Sequence, residues 1–89
     1  MSYVGIASTI GTTSVNIEKL IIRGEGSPGI ASALNTTSSN VTKFIDGTAS
    51  PGIAKVLGTT TVNAQKLRND IGRDGAIGLI LGLACVQKN

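Results

Sequence analysis

The sequence predicts an all-α protein, a compact array of about seven short helices, and three observations lead to this fold class. Apolar residues recur at i, i+3 and i+4. One pattern of residues returns after 24 and again after 23 positions, and each copy is divided by Gly or Asn followed by threonines. We therefore expect a single domain over residues 1–89, with repeats at about 5–28, 29–51 and 52–75 and a terminal helix at 76–87.

The first helix of each repeat has a recognisable start. Ser27-Pro28 and Ser50-Pro51 each place a side-chain acceptor before a proline, whose fixed φ suits the first helical position. In the second repeat, Ile30, Ala31 and Leu34 then share one helical face. The three aligned starts are Gly5-Ile6-Ala7, Gly29-Ile30-Ala31 and Gly52-Ile53-Ala54.

The turn between the two helices carries three recurring residue types. A residue that readily adopts φ > 0 ends the first helix, and threonine caps the second. Asparagine follows three residues later, where its amide is expected to reach back to the cap residue. The sets are Gly11, Asn35 and Gly58; Thr13, Thr37 and Thr60; and Asn16, Asn40 and Asn63.

The second helix of each repeat is predicted by apolar pairs at i and i+3 and by a glycine that ends it. The pairs are Ile17 with Leu20, Val41 with Phe44 and Ala64 with Leu67, and the final glycines are Gly24, Gly47 and Gly72. The segment VNIEKLIIR is rich in residues that favour strands, but its apolar residues do not alternate. Helix is therefore favoured over strand.

The terminal segment, residues 76–87, is strongly apolar. We expect no polar face on it, and a helix that is apolar all round must be surrounded by other structure. It is either the hub around which the repeats fold or a docking element for another subunit. The residues expected at such an assembly interface are Leu79, Ile80, Leu81, Leu83 and Val86.

Composition argues against catalysis. The chain has no His, and its single Cys, Cys85, lies in an apolar run, so we expect no disulfide within the chain and a reducing compartment. The acidic residues are isolated, and no glycine-rich loop has phosphate-binding spacing. We expect no catalytic residue, no metal and no cofactor.

Charge and hydropathy constrain partners and location. The net charge of +3 allows a nucleic-acid partner without requiring one. No basic segment precedes an apolar one at the N-terminus, and the terminal apolar run is too short to span a bilayer. We therefore expect a cytoplasmic or virion location, with no signal peptide and no membrane span.

The spacing of residues across each turn resembles the helix-turn-helix of bacterial and phage DNA-binding domains. In the second repeat it consists of Ala31, Asn35, Val41 and Phe44, and in the third of Ala54, Gly58, Ala64 and Leu67. In that family the second helix enters the major groove. The resemblance implies DNA contacts by Thr37, Ser38, Thr42 and Lys43, and by Thr60, Thr61, Gln65, Lys66 and Asn69.

Capping alone also accounts for the recurring Thr and Asn, and Lys19, Lys43 and Lys66 suit the solvent-facing side of each second helix. Two functions follow. The first is a non-enzymatic structural or assembly protein, a helical-repeat subunit of a virion, phage particle or filament, whose partners are copies of itself or larger proteins. The alternative is a small helix-turn-helix DNA-binding protein.

Overall fold

Six helices and the turns between them make up the part of the chain that the structure describes. The computed structural model describes residues 3–88 and has no strand in that range. The helices are α1 (Val4–Ile10), α2 (Ser14–Arg23), α3 (Pro28–Ala33), α4 (Ser38–Asp46), α5 (Pro51–Leu57) and α6 (Thr61–Lys88). The predicted all-α class is confirmed, and the helices number six because α6 combines two of the expected segments.

Helix α6 contains one non-helical residue, Gly72, with φ 76° and ψ 179°. The part before Gly72 is the second helix of the third repeat, and the part after it is the expected terminal helix. We call residues 73–88 the terminal arm. Glycine adopts this positive φ without strain, so the chain kinks here and resumes its helix at once.

The tight turns have the conformations that their residues predict. The residues that end the first helices have left-handed φ values: Gly11 88°, Asn35 59° and Gly58 73°. The glycines that end α2 and α4 are left-handed too, with φ of 69° at Gly24 and 83° at Gly47. A backbone N–H donates at 3.2 Å to each of the predicted caps, Thr13, Thr37 and Thr60.

Proline occupies the start of α3 and α5, as predicted, but the serines before it behave differently. The Oγ of Ser27 accepts a hydrogen bond from the backbone N–H of Ile30 at 3.5 Å, which caps α3. The side chain of Ser50 makes no capping bond; its Oγ donates to the carbonyl oxygen of Asn40 at 2.7 Å. The cap expected at Ser50 is therefore replaced by a bond to the preceding repeat.

One apolar cluster with side chains from all six helices forms the core. Phe44 is the largest buried side chain, and the rest are mainly isoleucine, leucine, valine and alanine. The predicted pairs Ile17 with Leu20 and Val41 with Phe44 are buried. Each large side chain of this kind stabilises the fold by about 1.5–3 kcal/mol relative to the exposed state.

The third predicted core pair is only half correct. Ala64 is buried, but Leu67 is 38% exposed, whereas Leu20 and Phe44 at the same repeat position are buried. Leu67 lies on the second helix of the third repeat, and the packing of residues 3–88 leaves it partly exposed. The core prediction for Leu67 was therefore wrong.

Helix α6 contacts each of the other five helices. The buried face of its terminal arm consists of Ala76, Ile77, Ile80 and Ala84. The exposed strip of the arm consists of Asp74, Gly78, Gly82 and Val86, spaced four residues apart, and Arg73 and Gln87 are exposed beside it. The expectation that the terminal helix is surrounded on all sides is corrected, because two glycines on its outer strip leave little apolar side chain there to cover.

Replacing Asn35 by alanine is expected to lower the free energy of unfolding by about 1 kcal/mol more than Ser32→Ala does. Asn35 has φ 59°, where alanine is strained, whereas Ser32 is an exposed residue of α3. Urea denaturation of both variants measures the difference. Equal midpoints and slopes for the two would contradict a conformational role for Asn35.

Candidate assembly surfaces

One hydrogen-bonded arrangement recurs at the start of each second helix. The asparagine Nδ2 donates to the threonine one turn earlier, which we call a threonine–asparagine pair. The pairs are Thr12–Asn16 at 2.8 Å, Thr36–Asn40 at 3.2 Å and Thr59–Asn63 at 3.2 Å. The amide was expected to reach the cap residue. It bonds instead to the residue before the cap, because the cap hydroxyl already accepts the asparagine backbone N–H.

The first two pairs are covered by the glycine that begins the next repeat. A Cβ added to Gly29 would lie 2.5 Å from Oγ1 and 2.7 Å from Cβ of Thr12. A Cβ added to Gly52 would collide with Oγ1 of Thr36 and would lie 2.7 Å from Cγ of Asn40. Only glycine permits so close an approach. Each junction between repeats is thus a contact of a glycine backbone with the preceding pair.

The corresponding surfaces at the two ends of the repeat array are uncovered. Thr59 and Asn63 are exposed, whereas the residues of the other two pairs are half-buried. A Cβ added to Gly5 would meet no heavy atom of residues 3–88 within 4 Å. Ile6 is 40% exposed, whereas the equivalent isoleucines of the other repeats are fully buried.

The terminal arm leaves the third pair open, although its Ala76-Ile77-Gly78 lies 24 residues after Gly52-Ile53-Ala54, where a fourth repeat would begin. Connections of four residues, 24–27 and 47–50, precede α3 and α5. Only Gly72 separates the arm from the helix before it. Without a longer connection the arm runs into the core, where Ile80 is fully buried, and Thr59 and Asn63 stay exposed.

Most residues expected at an assembly interface pack within their own chain. Ile80 is fully buried, and Leu79, Leu81 and Leu83 are partly buried against the core. Val86 is 72% exposed. Of the two arrangements expected for the terminal arm, a hub or a docking element, the hub is therefore the one found. A role for these residues in contacting another subunit stays a prediction.

The nine residues expected to contact DNA do not form one free polar surface. The hydroxyls of Thr37 and Thr60 are occupied as caps. Five of the nine have no role in capping or in a side-chain hydrogen bond. Ser38 and Thr61 are half-buried, and Lys43, Lys66 and Asn69 are exposed. The polar groups available for base contacts are therefore few and scattered over two repeats.

Thr42 and Gln65, also expected at a DNA interface, bond to the backbone of their own chain. Oγ1 of Thr42 accepts from the N–H of Gly26 at 2.8 Å and donates to the carbonyl of Ser38 at 3.0 Å. Nε2 of Gln65 donates to the carbonyl of Gly47 at 2.9 Å. Both side chains connect segments that are distant in sequence.

Two arginines that no sequence pattern singled out donate hydrogen bonds to carbonyl groups near the ends of other helices. Nε and Nη2 of Arg68 donate to the carbonyl of Ile45 at 2.9 and 2.7 Å, near the end of α4. Nη2 of Arg73 donates to the carbonyl of Ile22 at 3.1 Å, near the end of α2. A cation is favourable at the C-terminal end of a helix, where carbonyls lack helical partners. Backbone acceptors leave no mark in a sequence, so these ties were not predictable.

Large apolar side chains are exposed on the outer repeats at positions that are polar in the middle repeat. Val15 is 58% exposed and Val62 is 62% exposed, and Ser39 holds the same position in the second repeat. Ile22 is exposed in the first repeat, whereas the same position holds Asp46 in the second repeat and Asn69 in the third. The outer repeats therefore present apolar surface that the middle one lacks.

Comparisons of the chain with protein-family models, curated proteins and solved structures gave no significant match. Among residues 3–88, no helix combines the length and the apolarity that crossing a lipid bilayer requires. In the same range, no three His, Cys, Asp or Glu side chains are grouped so as to hold a metal ion.

Replacing Gly52 by alanine is expected to lower the free energy of unfolding by about 1–3 kcal/mol, because the new Cβ would overlap Thr36 and Asn40. Gly5→Ala is the matched control at the same repeat position, and it should be neutral or stabilising by up to about 1 kcal/mol because alanine favours helix. Denaturant titration compares the two, and equal destabilisation would argue against a tight junction at Gly52.

Proposed function

We propose that this chain is a non-enzymatic structural protein, a small helical-repeat subunit that assembles with copies of itself into a larger ordered structure such as a virion, a phage particle or a filament. The observation that carries this proposal is the exposure of large apolar side chains on the outer repeats. On the repeats these side chains are Ile6, Val15, Ile22, Val62, Leu67 and Ile71, and Val86 is exposed on the terminal arm.

Exposed apolar side chains favour association because each Å² of apolar surface removed from water contributes about 25 cal/mol. Single exposed apolar residues are ordinary on any protein surface. Here, however, the middle repeat has Ser39 where both outer repeats have valine, Val15 and Val62, and it has Asp46 where the first repeat has Ile22. The apolar surface is thus concentrated on the repeats that neighbouring subunits would meet first.

A small helix-turn-helix DNA-binding protein is the second candidate. The feature that favours it is an exposed lysine at the same position of every repeat, Lys19, Lys43 and Lys66. Against it, Arg68 and Arg73 donate to carbonyls of their own chain. Three lysines would neutralise few phosphates, and phosphate contacts supply much of the affinity for DNA.

Sedimentation of the purified chain is expected to show an average mass that rises between roughly 1 µM and 1 mM, the range of weak to moderate protein association. A Val15→Ser, Ile22→Asp double variant, which gives α2 the residues of the middle repeat, should associate less at equal concentration. A chain that stays monomeric throughout this range would contradict the assembly proposal.

Titration with mixed-sequence duplex DNA separates the two candidates. We expect no binding at low salt. If DNA is the partner, log K should instead fall by about 0.9 per phosphate contact for each tenfold rise in salt. Lys19, Lys43 and Lys66 changed together to glutamine would then abolish binding without lowering thermal stability, since all three are exposed.

A further inference from the structure

The junction between repeats is formed twice inside the chain. Each junction has two partners, a glycine and a threonine–asparagine pair, and one glycine and one pair are not used in either junction. At both internal junctions, the glycine that begins a first helix lies against the threonine–asparagine pair of the repeat before it. The unused glycine is Gly5, and the unused pair is Thr59–Asn63. The chain therefore has two different open surfaces, and the two internal junctions show how surfaces of these two kinds fit together.

Burial around the unused halves differs from burial at the internal junctions. Ile6 follows Gly5 and is partly exposed, whereas Ile30 and Ile53, which follow the junction glycines, are fully buried. Thr59 and Asn63 are likewise exposed, whereas both internal pairs are half-buried. A preceding and a following repeat would be expected to remove this exposure.

We propose that copies of this chain join head to tail by this same junction, so that the start of α1 of one copy docks on the Thr59–Asn63 pair of the next. The inference rests on the proposed assembly function and assigns it a contact surface and a partner, a second copy of the chain. The two internal junctions supply the template, because they show which backbone fits a threonine–asparagine pair.

The contact shared by both internal junctions is the one between glycine and threonine. The serine two residues before that glycine takes no part in the contact, since Ser27 caps its own helix and Ser50 bonds to Asn40. Tyr3 holds the serine position in the first repeat, where it is half-buried against the core of its own chain. It leaves the surface at Gly5 open.

A junction of this kind joins two different surfaces and is therefore heterologous. Repeated addition of copies gives a closed ring if the rotation between copies closes and an open helical filament if it does not. A dimer with a single junction still has one free Gly5 surface and one free Thr59–Asn63 pair, whereas two copies related by a twofold rotation would use both. As the concentration rises, assembly should accordingly continue until a ring closes, or without limit as a filament.

Two variants block one surface each. Gly5→Leu places a bulky side chain where the template allows only glycine, and it projects into open space in the single chain. Thr59→Lys replaces an exposed threonine of the pair. In sedimentation, each variant alone should associate about tenfold to a hundredfold more weakly than the parent chain. Both should keep the helical circular dichroism signal, and Thr59→Lys should melt slightly lower because it loses the exposed hydrogen bond from Asn63.

Two matched variants control for added bulk and added charge. Gly82→Leu is also an exposed helical glycine whose added Cβ meets nothing within 4 Å. Thr48→Lys introduces the same lysine at another exposed threonine. Both should associate like the parent. If Gly5→Leu disturbs folding, Gly5→Ala applies the same block with a single methyl group.

A mixture of the two blocked variants gives the sharpest result. The Gly5→Leu copy keeps an intact pair and the Thr59→Lys copy keeps an intact Gly5, so together they should form a 1:1 dimer that grows no further. A parent chain that assembles while both blocked variants assemble equally well would overturn the head-to-tail junction and leave the assembly function standing. A parent chain that never associates would overturn both.

Discussion

The hydrogen bond from an asparagine amide to the threonine one turn earlier is the interaction on which the repeat architecture depends. Two successive threonines in each turn have different roles. The second, such as Thr37, caps the helix, and the first, such as Thr36, is held by Asn40 and faces the next repeat. Because the amide holds the threonine hydroxyl, the surface that meets the glycine of the following repeat has a defined shape. The same Thr-Thr-x-x-Asn segment therefore both caps the helix and forms the surface on which the next repeat packs.

The terminal arm compensates for the shortness of the other helices. Helices of six to ten residues, the lengths of α1 to α5, are not stable alone in water, and a domain this small buries a modest share of its surface. Helix α6 contacts all five, and Ile80 of its arm is fully buried. Arg68 and Arg73 add ties to the ends of α4 and α2. The short connection at Gly72 directs the arm inward, so it acts as a hub instead of a fourth repeat.

Local chemistry made much of the fold predictable from the sequence. The left-handed turn at Asn35, the cap at Thr37 and the proline starts depend on residues within a few positions of each other, and all have the predicted form. Features that depend on distant neighbours were not predictable. Leu67 has the same spacing as Phe44 but is partly exposed, and the bond of Ser50 to Asn40 requires the packed junction. The recurrence of Gly29 and Gly52 was visible, but the contact that explains it appears only in the packed structure.

Glycine within a helix costs stability, so its recurrence at one position calls for a compensating contact. Gly29 and Gly52 have one, because each approaches a threonine too closely for any side chain. Gly5 holds the same position without such a contact among the residues that the structure describes. An open helical glycine alone is weak support for a partner, since Gly78 and Gly82 are equally open. What distinguishes Gly5 is that its two equivalents show the surface it fits, and that one copy of this surface, Thr59–Asn63, is uncovered at the other end of the repeats.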